Sequence, residues 1–217
     1  VLHRDLKPEN VMVGEFGEVL VMDWGLAKRL NDGVRMTNDE TSESSSFIIR
    51  NSSFSATLDG AVMGTPQYMS PEQAMGQIDD LDERSDIFSL GGILYAILTL
   101  RPPVEGKTLE EVLEKVRSGS VTAPSKLHAS SNAKATPKGN VLEAKLIKPL
   151  PHATGGRVPD ALSAVVMKAL RLDKMQRYQS VGELSADIEA YQGGFATQAE
   201  HAGALKQLKL LMLRHRA

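Results

Sequence analysis

The 217 residues of this chain fit one ordinary domain, or one domain with an appendage. A hydrophobic content of 41% against 24% charged residues excludes a wholly disordered chain, a collagen-like one and a coiled coil. Cysteine is absent, which excludes disulfides, thiolate metal sites and a cysteine nucleophile, and a net charge of −2 gives no pointer to nucleic acid.

In chain order, Val1 to Asn10 carries both charge signs and no apolar run, so no signal peptide is read there. Val11-Met12-Val13 and Val19-Leu20-Val21-Met22 are short β-prone runs joined through Gly14 and Gly17, which predicts a small hairpin. From Asn31 to Gly60 the chain turns to Ser, Thr, Asn and Asp, and a long loop is expected. Ile87 to Leu100 is the longest charge-free apolar stretch. At fourteen residues it falls short of the roughly 20 a membrane span needs and reads as a buried core helix. Ser85 or Asp86 is the expected cap, and Arg101-Pro102-Pro103 the stop.

Thr108-Leu109-Glu110-Glu111 is a capping box opening a helix to about Arg117. Residues 119–157 are rich in Lys, Ala, Ser and Pro, with net charge +5, and are expected to form an irregular basic insertion. Asp160 is expected to cap a helix through Leu172. Ser180 to Glu183 boxes another that ends at Gly193-Gly194. A third box, Thr197 to Glu200, opens a last basic helix with leucines at 205, 208, 210, 211 and 213. The expected fold is mainly α, with one small hairpin near the start.

The chemistry concentrates in His3-Arg4-Asp5-Leu6-Lys7-Pro8-Glu9-Asn10. Phosphoryl transfer to a hydroxyl needs a carboxylate to orient the nucleophile and accept its proton. It also needs cations and Mg²⁺ ligands against the phosphate charge. Asp5, Lys7 and Asn10 offer a base, a phosphate-reaching cation and an oxygen ligand in one loop. Asp23, beyond the hairpin, offers a second oxygen ligand, and Mg²⁺ needs few protein oxygens when substrate phosphates supply the rest.

These residues resemble the protein kinase superfamily. His3 to Asn10 matches its catalytic loop, and Asp23-Trp24-Gly25 stands where the family has Asp-Phe-Gly. Gly64-Thr65-Pro66-Gln67-Tyr68-Met69-Ser70-Pro71-Glu72 looks like the end of an activation segment. Ser85 to Gly91 is similar to the start of the central buried helix, and Arg177 matches the arginine that pairs with the glutamate, here Glu72. Lys7 and Thr65 are what Ser/Thr kinases carry, and the wording around Glu72-Gln73 looks most like bacterial kinases of the eukaryotic-like Ser/Thr type.

The resemblance implies ATP and Mg²⁺ as cofactors and proteins with Ser or Thr acceptors as substrates, with self-association for trans-autophosphorylation as a further partner expectation. Nucleic acid is not expected as a partner. Asp5 is then the base, Lys7 the cation on the moving phosphate and Asn10 and Asp23 the Mg²⁺ ligands, with Thr65 supporting substrate and Asp5. Arg4 would take a phosphate on the activation segment (residues 23–72), for which Ser52, Ser53, Ser55 and Thr57 are candidate sites. His3, Gly25, Glu72, Asp86 and Arg177 read as structural. Trp24 reads as a tolerated aromatic in a packing position.

The resemblance covers residues 1–193 and corresponds to the family's C-terminal lobe, without the glycine-rich loop or the rest of the N-terminal lobe. The chain is therefore expected to be a fragment that is inactive alone. Residues 194–217 would form a basic amphipathic helix, read either as a juxtamembrane segment with a membrane tether beyond Ala217 or as a helix packing on the lobe or a partner. The expected location is a cytoplasmic kinase domain, with a membrane-anchored parent as the first of those readings. Two rivals stay open: a pseudokinase acting as a binding scaffold, and a small-molecule kinase of the same fold.

Overall fold

In the computed structural model, residues 1–28, 66–127, 156–203, 207–208 and 210–212 are described. Val11–Val13 (β1) and Val19–Val21 (β2) pair antiparallel, with Val11 opposite Val21 and Val13 opposite Val19. Gly17, at φ 85°, supplies the left-handed backbone the connection needs. Around the hairpin the flanking segments are tied together. Leu2 and Lys28 exchange backbone hydrogen bonds at 2.8 and 2.9 Å, and the Met22 N–H donates to the Asn10 carbonyl at 2.8 Å. The loop from His3 to Asn10 and the turn from Asp23 to Leu26 are thereby held side by side.

The remaining regular structure is helical: α1 (Pro71–Ala74), α2 (Glu83–Thr99), α3 (Leu109–Arg117), α4 (Pro124–Leu127), α5 (Asp160–Ala169) and α6 (Val181–Gln192). α2 is the central element. Ile87 packs with Val165, Ala169, Tyr178 and Leu184 on one side, while Phe88 and Tyr95 pack with Val166 and Leu170. A Cβ at Gly91 would lie 2.6 Å from the Ala169 Cβ, so glycine here lets α2 and α5 approach closely despite its low helix propensity. A third cluster of Ala74, Val104, Val112 and Val116 seats α1 and α3 together.

Several boundaries differ from the sequence expectation. α2 is capped by Asp82, whose carboxylate accepts from the Arg84 N–H at 2.9 Å, rather than by Ser85 or Asp86. Those two residues lie in the first turn and their side chains are engaged elsewhere. α2 ends at Thr99, one residue early, because Leu100 turns into left-handed backbone at φ 58° ahead of Pro102. α5 takes Pro159 as its cap and Asp160 as its first residue. It stops at Ala169 rather than Leu172: the Arg171 N–H bonds three residues back to the Lys168 carbonyl, and the chain then turns so that the carbonyls of Arg171 and Leu172 accept from Arg177.

The boxes at Thr108 and Ser180 form as expected. Within residues 119–157, Pro124–Leu127 is helical, not irregular. Pro124 is fully buried and Leu127 packs on the Phe88 cluster. Residues 128–155 of that stretch lie outside the described residues. Thr197 and Glu200 do make the expected box contacts, but these close only a 3₁₀ turn, Gln198–Glu200. At His201 the backbone is left-handed (φ 46°), so no continuous helix runs on from Thr197; helical backbone recurs at 207–208 and 210–212.

Candidate functional site

Arg4 adopts left-handed backbone at φ 67°, unusual for a long side chain, and the surrounding groups fix it there. The Asp86 carboxylate, one turn into α2, accepts the His3 N–H at 2.7 Å and the Arg4 N–H at 2.9 Å. Arg4 Nε donates to the Leu26 carbonyl, and burial lowers the guanidinium pKa although the charge of Asp86 acts the other way. The His3 ring stands between the two segments. Its Nδ1 accepts from the Asp5 N–H at 3.3 Å, which leaves Nε2 to donate to the Met22 carbonyl at 3.0 Å.

Asp5, Lys7 and Asn10 come together on this loop. Lys7 Nζ donates to Asp5 Oδ2 at 2.9 Å, and Asn10 Nδ2 donates to the same oxygen at 3.1 Å and to the Asp5 carbonyl at 2.9 Å. The 3₁₀ turn Pro8–Asn10 carries Asn10 back toward Asp5, with Pro8 fixing its start. Oδ2 is thus taken by two donors, while Asp5 Oδ1 has no hydrogen bond among the described residues. Spending its amide nitrogen on Asp5 leaves Asn10 Oδ1 as the end available to a cation.

Asp23 is also left-handed, at φ 59°, a conformation Asp tolerates better than most residues. No hydrogen bond or ion pair engages its carboxylate among the described residues, and a Cβ on Gly25 would stand 3.3 Å from its Oδ1. The following 3₁₀ turn, Trp24–Leu26, is tied to β2 because Trp24 Nε1 donates to the Val21 carbonyl at 2.9 Å. The indole, 53% exposed, meets the His3 ring edge-on at 4.7 Å. Trp24 is therefore a half-open ring with a donor in use, which phenylalanine would lack.

Below the loop, Arg177 and Glu72 form a buried two-pronged ion pair, with both N–O distances 2.8 Å. Ser85 Oγ donates to Glu72 Oε1 at 2.7 Å, and Arg177 also donates to the carbonyls of Arg84, Arg171 and Leu172. Burial alone would raise the Glu72 carboxyl; the hydrogen bonds and charge of Arg177, with Ser85, outweigh it and hold the group below its ordinary range. Gln73, which the sequence reading did not single out as a site residue, donates to the Arg4 carbonyl at 2.7 Å. The spacing Ser70-Pro71-Glu72-Gln73 is itself a capping-box signature that could have marked it.

Thr65, Ser52, Ser53, Ser55 and Thr57 lie outside the described residues. Among the described residues, no cluster of three or more His, Asp or Glu side chains suits a metal ion, and no helix is long and apolar enough to cross a membrane.

Residues 1–185 match the family model described as the protein kinase domain. The chain is similar to curated serine/threonine-protein kinases PknD. Identity is 37% over 198 residues with that of Protochlamydia amoebophila, 35% over 196 with Chlamydia abortus and 30% over 197 with Chlamydia pneumoniae. Each alignment takes in 89% of this chain and 17% of the relative, so the chain spans about a sixth of the length of the curated relatives it matches.

Proposed function

The chain belongs to the protein kinase domain family, and from that premise we propose that the protein carrying it transfers the γ-phosphate of ATP to Ser or Thr hydroxyls on proteins. The observation that carries this reading is the Asp5 carboxylate: Lys7 and Asn10 hold Oδ2, while Oδ1 is left for an acceptor hydroxyl. The acceptor O–H would donate to Oδ1, and Asp5 would orient the oxygen and take its proton as its bond to the γ-phosphorus forms and the bond from that phosphorus to the β,γ-bridging oxygen breaks, releasing ADP. Lys7, fixed 2.9 Å from that carboxylate, would place positive charge beside the moving phosphate.

Mg²⁺ fits the donors present. Asn10 Oδ1 and the unengaged Asp23 carboxylate are hard oxygens, and a cation bound through few protein groups and substrate phosphates is what Mg²⁺ favours. When bound, the ion neutralises charge on the phosphate oxygens. Thr65 would support the acceptor side. The described elements would form the mainly helical C-terminal lobe of the kinase fold, with the β1–β2 hairpin beside the active site. Arg4 would receive a phosphate carried by one of Ser52, Ser53, Ser55 or Thr57 and so order the segment between Asp23 and Glu72. Residues 1–193 would make up the lobe and residues 194–217 a basic appendage.

Transfer of label from γ-labelled ATP, followed by identification of the modified amino acid, tests this reading. Phosphoserine or phosphothreonine is expected. Label found only on phosphotyrosine or on a small molecule would overturn it.

A further inference from the structure

Gln73 is the third residue of α1, and its side chain works in two directions. Toward its own helix, Oε1 accepts the Ser70 N–H and Ser70 Oγ, both at 3.1 Å, while the Gln73 N–H donates to Ser70 Oγ at 3.4 Å. Away from the helix, Nε2 donates to the Arg4 carbonyl at 2.7 Å, sixty-nine positions back along the chain. Gln73 is buried, its contacts to Ser70 fully and that to the Arg4 carbonyl in part, so water competes little for its side chain. Glutamine and glutamate close a capping box equally well, because the box uses only the side-chain acceptor. The bond to Arg4 uses the amide nitrogen, which glutamate lacks.

That carbonyl belongs to the peptide bond that carries Asp5. Its two polar ends are both held, the Arg4 carbonyl by Gln73 and the Asp5 N–H by His3 Nδ1 at 3.3 Å. Arg4 itself sits at φ 67°, a backbone state that persists only where several partners over-determine it. Asp86 holds its N–H from α2, Leu26 holds its side chain, and Gln73 supplies the contact from α1. We infer that Gln73 is a positioning residue for Asp5: it couples the cap of α1, directly after Glu72, to the orientation of the Arg4–Asp5 peptide. The inference rests on the proposed reading of Asp5 as the base. It adds a physical link by which the end of the segment running to Glu72 sets the geometry of that base.

Two substitutions in the protein that carries this chain separate positioning from capping. Gln73→Glu keeps the box and sets a carboxylate oxygen against the Arg4 carbonyl. Ser70→Ala removes the box and keeps the Nε2 donor. Both substitutions should lower the urea midpoint, Gln73→Glu because it buries an unpaired carboxylate and Ser70→Ala because it removes the box, but only Gln73→Glu should speed amide exchange at Asp5, by about tenfold, while Ser70→Ala leaves it close to the parent rate. In the phosphoryl-transfer assay, Gln73→Glu should lower kcat by about tenfold with the KM for ATP little changed. Asp5 exchange at the parent rate in Gln73→Glu, or an equal rise in Ser70→Ala, overturns the inference. The exchange comparison needs no phosphoryl transfer, so a parent protein that transfers no phosphate overturns the kinase reading and leaves the link between Gln73 and Asp5 decided by exchange alone.

Discussion

Glu72 and Arg177, 105 positions apart, meet in a two-pronged ion pair with both hydrogen bonds at 2.8 Å, and the guanidinium is otherwise satisfied by three backbone carbonyls. The pair joins the start of α1 to the turn between α5 and α6. A buried pair of this kind adds little net stability against an apolar replacement, yet removing one partner strands the other. Glu72→Ala or Arg177→Ala should each lower the unfolding free energy by about 3–5 kcal/mol, and the double substitution should cost less than the two single losses added. Urea denaturation of the four proteins checks this. Additive losses would show that the two side chains act independently. Because the folded Glu72 carboxyl lies below its ordinary range, the stability it contributes is present above that range and is lost as pH falls.

Asp82 gives a second acid-sensitive contact, at the cap of α2. Partial burial alone would raise its carboxyl, but hydrogen bonds from the Arg84 side chain and N–H and from Lys174 hold it down at about 2. A folded value below the unfolded one stabilises above about pH 4, and the contribution is lost as pH falls from about 4 through about 2. Asp82→Asn keeps a good capping side chain and removes the charge, so it should flatten that part of the stability curve while leaving α2 formed. Denaturant midpoints measured across the acid range decide it, and an unchanged slope in the variant would contradict the assignment.

Trp24 uses its indole N–H on the Val21 carbonyl, which ties the turn after Asp23 to β2. Trp24→Phe keeps an aromatic ring against His3 and deletes that one donor. The ring is half exposed, so water replaces the lost bond and global stability should fall by less than about 1 kcal/mol. The local effect should be larger. The Ala27 N–H, which closes the turn on the Trp24 carbonyl at 3.0 Å, should exchange several-fold faster, by roughly the factor a lost hydrogen bond allows. Unchanged exchange at Ala27 would mean that the indole N–H does not hold the turn.

Features that depend on near neighbours in sequence were legible before the structure. The hairpin between Val11 and Val21 and the caps at Thr108 and Ser180 are set by turn glycines and by side chains three residues apart. The cap of α2 was not legible. Asp82, Ser85 and Asp86 are all suitable types, and the choice among them is tertiary: Ser85 is drawn to Glu72 and Asp86 to the backbone of His3 and Arg4. The same holds at the end of α5, where the chain leaves the helix and presents the Arg171 and Leu172 carbonyls to Arg177, a partner remote from the helix's own capping residues. Thr197 shows the reverse case, a box that forms locally while His201 turns the chain away. Of the candidate site, residue types and their grouping from His3 to Asn10 could be read from the sequence. The bond of Gln73 to Arg4 could not, because its partner is a backbone carbonyl with no residue signature.

The most direct test of the account is the intact mass of the protein carrying this chain after incubation with Mg-ATP, beside Asp5→Asn, with modified peptides mapped. The account predicts phosphate on Ser or Thr in the parent and a rate lower by a factor on the order of a hundred or more in Asp5→Asn, since the amide cannot take the hydroxyl proton. Equal rates of phosphate gain in the two proteins, or no gain in a folded parent, would contradict it.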